Sequence, residues 1–371
     1  MQKEKIHFDN LDGLRFIGAF MVFLFHAFTI NREVWGDFFE SAPLLWIRKL
    51  TSIGHYGVNL FFVLSGFLIT YLLLKELKER GKIHIGFFLV RRILRLWPLY
   101  FVIVLFGFFV FPHLPFGTPT VHELWRYSLF LSNFDEIING SRDPINFLTA
   151  TWSVSIEEQF YICWAVVIGF FQWKTIRSFQ YFFLLVITGS FAFRFYYAAN
   201  PDLLYYHTIS VISDMAIGGI LASWIFEKPS VRVIEDLKKW HIVLIYVLGI
   251  SFLFSAHKLL PGRFVSLERL ISGTFFAFAI VEQLKSRNSF FKADQIPFFQ
   301  RAGKLTYGFY LFHCILIFYI CKTFEYMGWT QQAGYFMLYF ILLLVINSLL
   351  SVISYSYFEK PLLNLKRYFR V

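Results

Sequence analysis

The first apolar stretch of the chain, LDGLRFIGAFMVFLFH at 11–26, carries three ionisable residues on one helical face. Arg15 and His26 are eleven residues apart, about three α-helical turns, so they align ~16 Å apart along the axis. Asp12 precedes Arg15 by three and joins the same face. Gly18, Ala19 and Val22 lie between them and leave room for something narrow, either a neighbouring helix or an extended ligand arm. Ionisable groups inside a membrane helix are costly and face the protein interior. Arg15 has a simpler alternative, snorkelling to the headgroups. His26, deep and aligned with Arg15 and Asp12, is a candidate general base or nucleophile.

Further polar residues fall inside apolar stretches. In GVNLFFVLSGF (57–67), Gly57, Ser65 and Gly66 permit close helix approach, and Asn59 is polar near the outer end. In RRILRLWP (91–98), Arg92 and Arg95 are three apart on one face. They read either as a basic anchor with an interfacial Trp or as a clamp for phosphates, which guanidinium binds in forked geometry. In TWSVSIEEQFY (151–161), Glu157 and Glu158 lie roughly ten residues into a crossing segment and point ~100° apart, so one can serve chemistry while the other is structural. Glu157 lies ~15 Å deep, at a level comparable with His26, where a His–carboxylate contact would orient the imidazole. Asp214 and His313 fall at similar depth, each a proton relay or a structural hydrogen-bonder. Glu359, beside Lys360, reads as half of a salt bridge to a basic rim.

These residues must be held by membrane-crossing helices. The 371 residues are 57% hydrophobic and only 16% charged, with 50 Phe and a mean hydropathy of +0.57, which a single soluble core does not require. Ten segments are long enough to cross: 13–30, 55–74, 86–111, 147–170, 179–198, 205–226, 240–256, 267–284, 303–323 and 333–357. The expected fold is therefore all-α and polytopic, a single domain over 1–371 with no separate soluble domain. The net charge of +11 does not mark a nucleic-acid binder, because the Lys and Arg sit in short clusters between apolar runs. Most of the 35 Lys and Arg fall on the side of the N-terminus, which places both termini in the cytoplasm. Cys163, Cys314 and Cys321 all lie in apolar runs and form neither a disulfide framework nor a metal-ligand spacing, so no metal is expected. The longest outer connection, roughly 112–146, contains an Asn139-Gly140-Ser141 sequon that carries no weight alone.

Six stretches, in order from residue 11 to 361, resemble the acyltransferase 3 family of integral-membrane O-acyltransferases. They are LDGLRFIGAFMVFLFH, GVNLFFVLSGFLI, RRILRLWPLY, TWSVSIEEQFY, GKLTYGFYLFH and YFEKP. Asn59 departs from the pattern, since many members carry Asp there. The resemblance implies that an acyl group, most often acetyl, passes from acyl-CoA on the cytoplasmic side to a hydroxyl of a cell-envelope glycan or lipid-linked saccharide, in a bacterial inner membrane. It implies His26 and Arg15 as the functional pair and Arg92 and Arg95 as linked to the donor. Glu157 and Glu158 are the candidate catalytic carboxylates. The same stretches add Ser65, Trp152, Ser153, Tyr307 and His313 as candidates, with Asp12, Asn59 and Asp214 from the polar groups above. The alternative function is a transporter or flippase that uses the buried charges as a substrate or proton path; no internal symmetry of the kind such folds carry is visible.

Overall fold

The computed structural model describes residues 8–29, 32–35, 42–140, 147–170, 176–228, 230–330 and 333–369. Lys3, Lys5, Lys174 and Ser141 of the sequon lie outside the described residues. Those described form helices, turns and connections with no strand. Ten long helices run in order: α1 Asp9–Thr29, α2 Gly57–Arg80, α3 Ile85–Leu105, α4 Thr151–Phe170, α5 Ile176–Tyr196, α6 Thr208–Glu227, α7 Lys239–Leu259, α8 Glu268–Lys285, α9 Pro297–Tyr326 and α10 Ala333–Ile353. Among the described residues nine helical stretches are long and apolar enough to cross a membrane. The tenth long helix, α4, has 20 residues, enough for ~30 Å, but Ser153, Ser155, Glu157, Glu158 and Gln159 make its first half polar. The chain is an all-α polytopic membrane protein.

Two helices outrun their apolar segments. α2 continues through the charged run Lys75–Arg80 and stops at Gly81, whose φ of 72° is the left-handed C-terminal stop that glycine adopts freely. α9 starts at Pro297, before the apolar run, because proline at the first turn lacks an N–H that would be unsatisfied anyway. The early start adds residues 297–302 to the helix that carries Lys304 and His313.

Lipid tails are as apolar as leucine, so close packing of small residues holds these helices together rather than exclusion from water. α2 packs along α6, and α1 along both α2 and α9. A Cβ on Gly66 would sit 2.0 Å from the Met215 carbonyl oxygen, and one on Gly57 would sit 2.3 Å from that of Gly18. Both crossings therefore require glycine. Beyond α10 the backbone passes through a π-helical turn, Ser354–Glu359, a feature frequent at functional sites, and continues helically as Lys360–Asn364 and Leu365–Phe369. This C-terminal segment lies against α3.

Candidate active site

A cavity of about 750 Å³ opens among α1, α2, α3, α4, α9 and the C-terminal segment. Asp12 and Arg15 from α1 line it, and Arg15 donates to Asp12 at 2.6 Å. α3 contributes Arg92 and Arg95 but not Arg91, which is tied to Glu76 and to the Phe369 carbonyl oxygen. The Arg92 guanidinium lies over the Phe88 and Tyr161 rings at 5.4 and 5.6 Å, and its buried Nε has no hydrogen-bond partner. Lys366 on the C-terminal segment, Leu365–Phe369, reaches the same space, close enough for Arg15, Arg92 and Arg95 all to repel it. Lys304, Lys360 and Arg367 add further positive charge to the lining. The cationic side chains of the lining outnumber its carboxyls, Asp12, Glu157 and Glu359, and an excess of positive charge inside a helical bundle suits a multiply charged anion.

The adjacent carboxylates diverge as helical spacing requires. Glu157 lines the cavity and accepts hydrogen bonds from Ser65 at 2.7 Å and from Tyr161 at 2.9 Å. Glu158 points away and accepts from Trp97 Nε1 at 2.8 Å. Glu359 also faces the cavity, where it accepts from Ser354 at 2.9 Å, in place of the salt bridge that its neighbour Lys360 suggested. It is the last residue of the π-helical turn.

The expected contact between His26 and a carboxylate is not made. His26 Nδ1 lies 2.7 Å from His313 Nε2, across 287 residues of chain, with the two rings within 8° of parallel. His313 Nδ1 is hydrogen-bonded to the Tyr310 carbonyl oxygen. A carbonyl can only accept, so His313 carries its proton on Nδ1 and its Nε2 is the acceptor. His26 then donates from Nδ1, which leaves the lone pair on His26 Nε2. Cys314 Sγ sits beside the pair, 3.3 Å from His313 Nε2 and 3.7 Å from His26 Nδ1. Two nitrogens on one tetrahedral metal at ~2.0–2.1 Å would be separated by about 3.3 Å. The observed 2.7 Å is a hydrogen-bond spacing.

His26 and His313 are not among the cavity's lining residues. Phe61, Ser153 and Tyr310 line the cavity, with Tyr310 OH and Ser153 Oγ 2.8 Å apart. The Tyr310 ring also lies beside His313, its centroid 5.5 Å from that of the imidazole. His26 itself is only half-buried.

The remaining candidates separate. Tyr307 lines the cavity and donates to the Leu96 carbonyl oxygen at 2.7 Å. Trp152 is buried against Tyr205, with ring centroids 5.0 Å apart. Asn59 and Asp214 belong elsewhere. Asn59 Nδ2 lies 3.4 Å from Ser272 Oγ, and Asp214 is ion-paired with Arg269 on α8. Arg194, Glu268 and Tyr56 lie in the same buried polar network. Depth alone had grouped Asp214 with His26; the lateral arrangement of helices separates them. Tyr310, Tyr161 and Lys366 were not singled out from sequence. Tyr310 lies three residues before His313, and that spacing was the available signal.

The fold and this site define an integral-membrane protein with a cation-rich cavity beside a hydrogen-bonded imidazole pair. The family described as "Acyltransferase domain" matches residues 8–355, and the chain belongs to it. The chain is 25% identical over 375 residues to "O-acetyltransferase OatA" of Staphylococcus aureus (strain NCTC 8325 / PS 47), covering 95% of this chain and 57% of that protein. It is 26% identical over 347 residues to "Putative O-acetyltransferase SACOL0978" of Staphylococcus aureus (strain COL), covering 86% of this chain and 52% of that protein. The chain thus spans about half the length of the curated relatives it matches. No solved structure matches it.

Proposed function

We propose that the chain is a membrane-embedded O-acyltransferase that moves an acyl group, most simply acetyl, from acyl-CoA at the cytoplasmic face to a hydroxyl of a cell-envelope or exported glycan. The carrying observation is the placement of one cationic cavity between the N-terminal end of α1 and the imidazole pair. Acyl-CoA carries its phosphates at one end and its thioester at the end of a narrow arm. Arg15, Arg92, Arg95 and Lys366 would hold the phosphates. Helix rise puts Arg15 ~16 Å from His26, a distance for the arm to span. The names of the Staphylococcus relatives support acetyl as the group.

In this reading His26 Nε2 takes the proton of the acceptor hydroxyl as that oxygen bonds to the thioester carbonyl carbon. The carbon–sulfur bond then breaks, and the leaving thiolate takes the proton back from the imidazolium. His313 fixes the His26 tautomer and stabilises the imidazolium through the Nδ1–H bond. Glu157 is the carboxylate facing the donor arm, and Glu158 positions Trp97. The basic end of the cavity lies in the cytoplasm with both termini, as the Lys and Arg distribution favours. The membrane would be the bacterial plasma membrane, and the acceptor a glycan or lipid-linked saccharide. The test is [14C]acetyl transfer from acetyl-CoA to extracted envelope polysaccharide by the purified protein in proteoliposomes. Transfer by wild type and none by His26→Ala is the expected result; transfer without added acetyl-CoA, or undiminished in His26→Ala, overturns the reading.

A further inference from the structure

The cavity and the imidazole pair are neighbours. Phe61, Ser153 and Tyr310 line the cavity, and none of its lining belongs to His26, His313 or Cys314. Tyr310 is the lining residue that also lies against His313. Its hydroxyl is hydrogen-bonded to Ser153 on α4, its ring packs edge-on to Phe61 on α2 at 5.8 Å, and its carbonyl oxygen holds His313. One residue of α9 therefore touches the cavity, two facing helices and the imidazole pair. His26 is half-buried and is not among the lining residues.

We propose that the Tyr310 side chain is a gate between the cationic cavity and the His26–His313 pair, latched shut by its hydrogen bond to Ser153. A single neutral hydroxyl–hydroxyl bond is a weak latch, easily exchanged for one to an arriving ligand or water. Rotation of the ring about its first side-chain torsion clears the way without moving α9, whose backbone still fixes His313. Given the acyltransferase reading, on which this functional consequence rests, the closed ring keeps water away from a seated thioester until the arm displaces it.

Cys314 supplies a reporter that is independent of that reading. Its sulfur sits beside both imidazoles, behind the gate, and the thiol is free and buried. In the full-length protein carrying Cys163→Ser and Cys321→Ser, Cys314 is left as the one thiol. Its labelling rate is measured in detergent micelles with the anionic reagent 2-sulfonatoethyl methanethiosulfonate. Tyr310→Ala should raise the rate at least about tenfold and Ser153→Ala at least about threefold. Inorganic tripolyphosphate, held by the cationic lining, should suppress the gain in both. Tyr310→Ala is scored only if it elutes as wild type on gel filtration; Ser153→Ala and Tyr310→Phe, which keep the packing, carry the test otherwise. An unchanged rate in the folded variants, or a gain that tripolyphosphate does not touch, overturns the gate. Gated labelling in a protein that transfers no acetyl group would retain the gate and discard the donor assignment.

Discussion

Replacing His313 by alanine separates positioning from binding more cleanly than any other substitution in the site. His313 Nε2 is the acceptor for His26 Nδ1–H at 2.7 Å, and it lies outside the cavity that holds the donor in the proposed reaction. In the transition state of the proposed reaction His26 becomes an imidazolium, so the lost bond is one to a charged group, worth about 1.5–3 kcal/mol. At 1.36 kcal/mol per factor of ten, kcat should fall by about 10- to 150-fold. KM for the acyl donor should hold within about twofold, because no residue lining the cavity is changed. His313→Gln places an amide oxygen near the position of Nε2 and should recover part of the loss. His26→Ala removes the base itself and should cost more, about 10²–10⁴ in rate. The assay is initial-rate acetyl transfer in proteoliposomes over a range of acetyl-CoA concentrations, with gel filtration to confirm the folded fraction. A His313→Ala enzyme with unchanged kcat, or one whose loss lies wholly in donor KM, refutes the tautomer argument.

Three further outcomes follow from the geometry. Arg92→Ala and Arg95→Ala should each raise donor KM by about 10- to 100-fold with a smaller change in kcat, measured in the same assay, because each removes a charged partner worth about 1.5–3 kcal/mol. Gly66→Ala drives a methyl against the Met215 carbonyl oxygen and should destabilise by about 1–3 kcal/mol, whereas Gly86→Ala, with nothing within 4 Å, should leave the melting temperature in detergent unchanged or slightly raised. In the 112–140 connection, burial raises the Asp135 carboxyl pKa, but hydrogen bonds from His122 and Arg126 outweigh it and hold the group below its ordinary 3.8. That stability is present above the ordinary value and is lost as pH falls through the lower folded one, so Asp135→Asn should flatten the acid limb of the unfolding curve.

Helical periodicity was legible in the sequence. Arg15, Asp12 and the approach to His26 share a face because helical spacing alone fixes it, and the divergence of Glu157 from Glu158 follows from the same angle. Lateral arrangement was not legible. Asp214 pairs with Arg269 on α8, and the partner of His26 is His313 rather than a carboxylate. Nothing in a hydropathy pattern says which helix stands beside which. Lys366 reads as one more positive charge past the last span; the packing of the C-terminal segment against α3 brings it to the cavity, and Glu359 with it.

The central claim is that an acyl donor enters the cationic cavity phosphates outward and reaches His26 past Tyr310. A structure of the protein with a non-transferable thioether analogue of acetyl-CoA tests it most directly. The account predicts phosphate density among Arg15, Arg92, Arg95 and Lys366, Tyr310 rotated away from Ser153, and the acyl carbon beside His26 Nε2. Phosphates bound outside this cavity, or an acyl group ending at Glu157 with Tyr310 still latched, would contradict it.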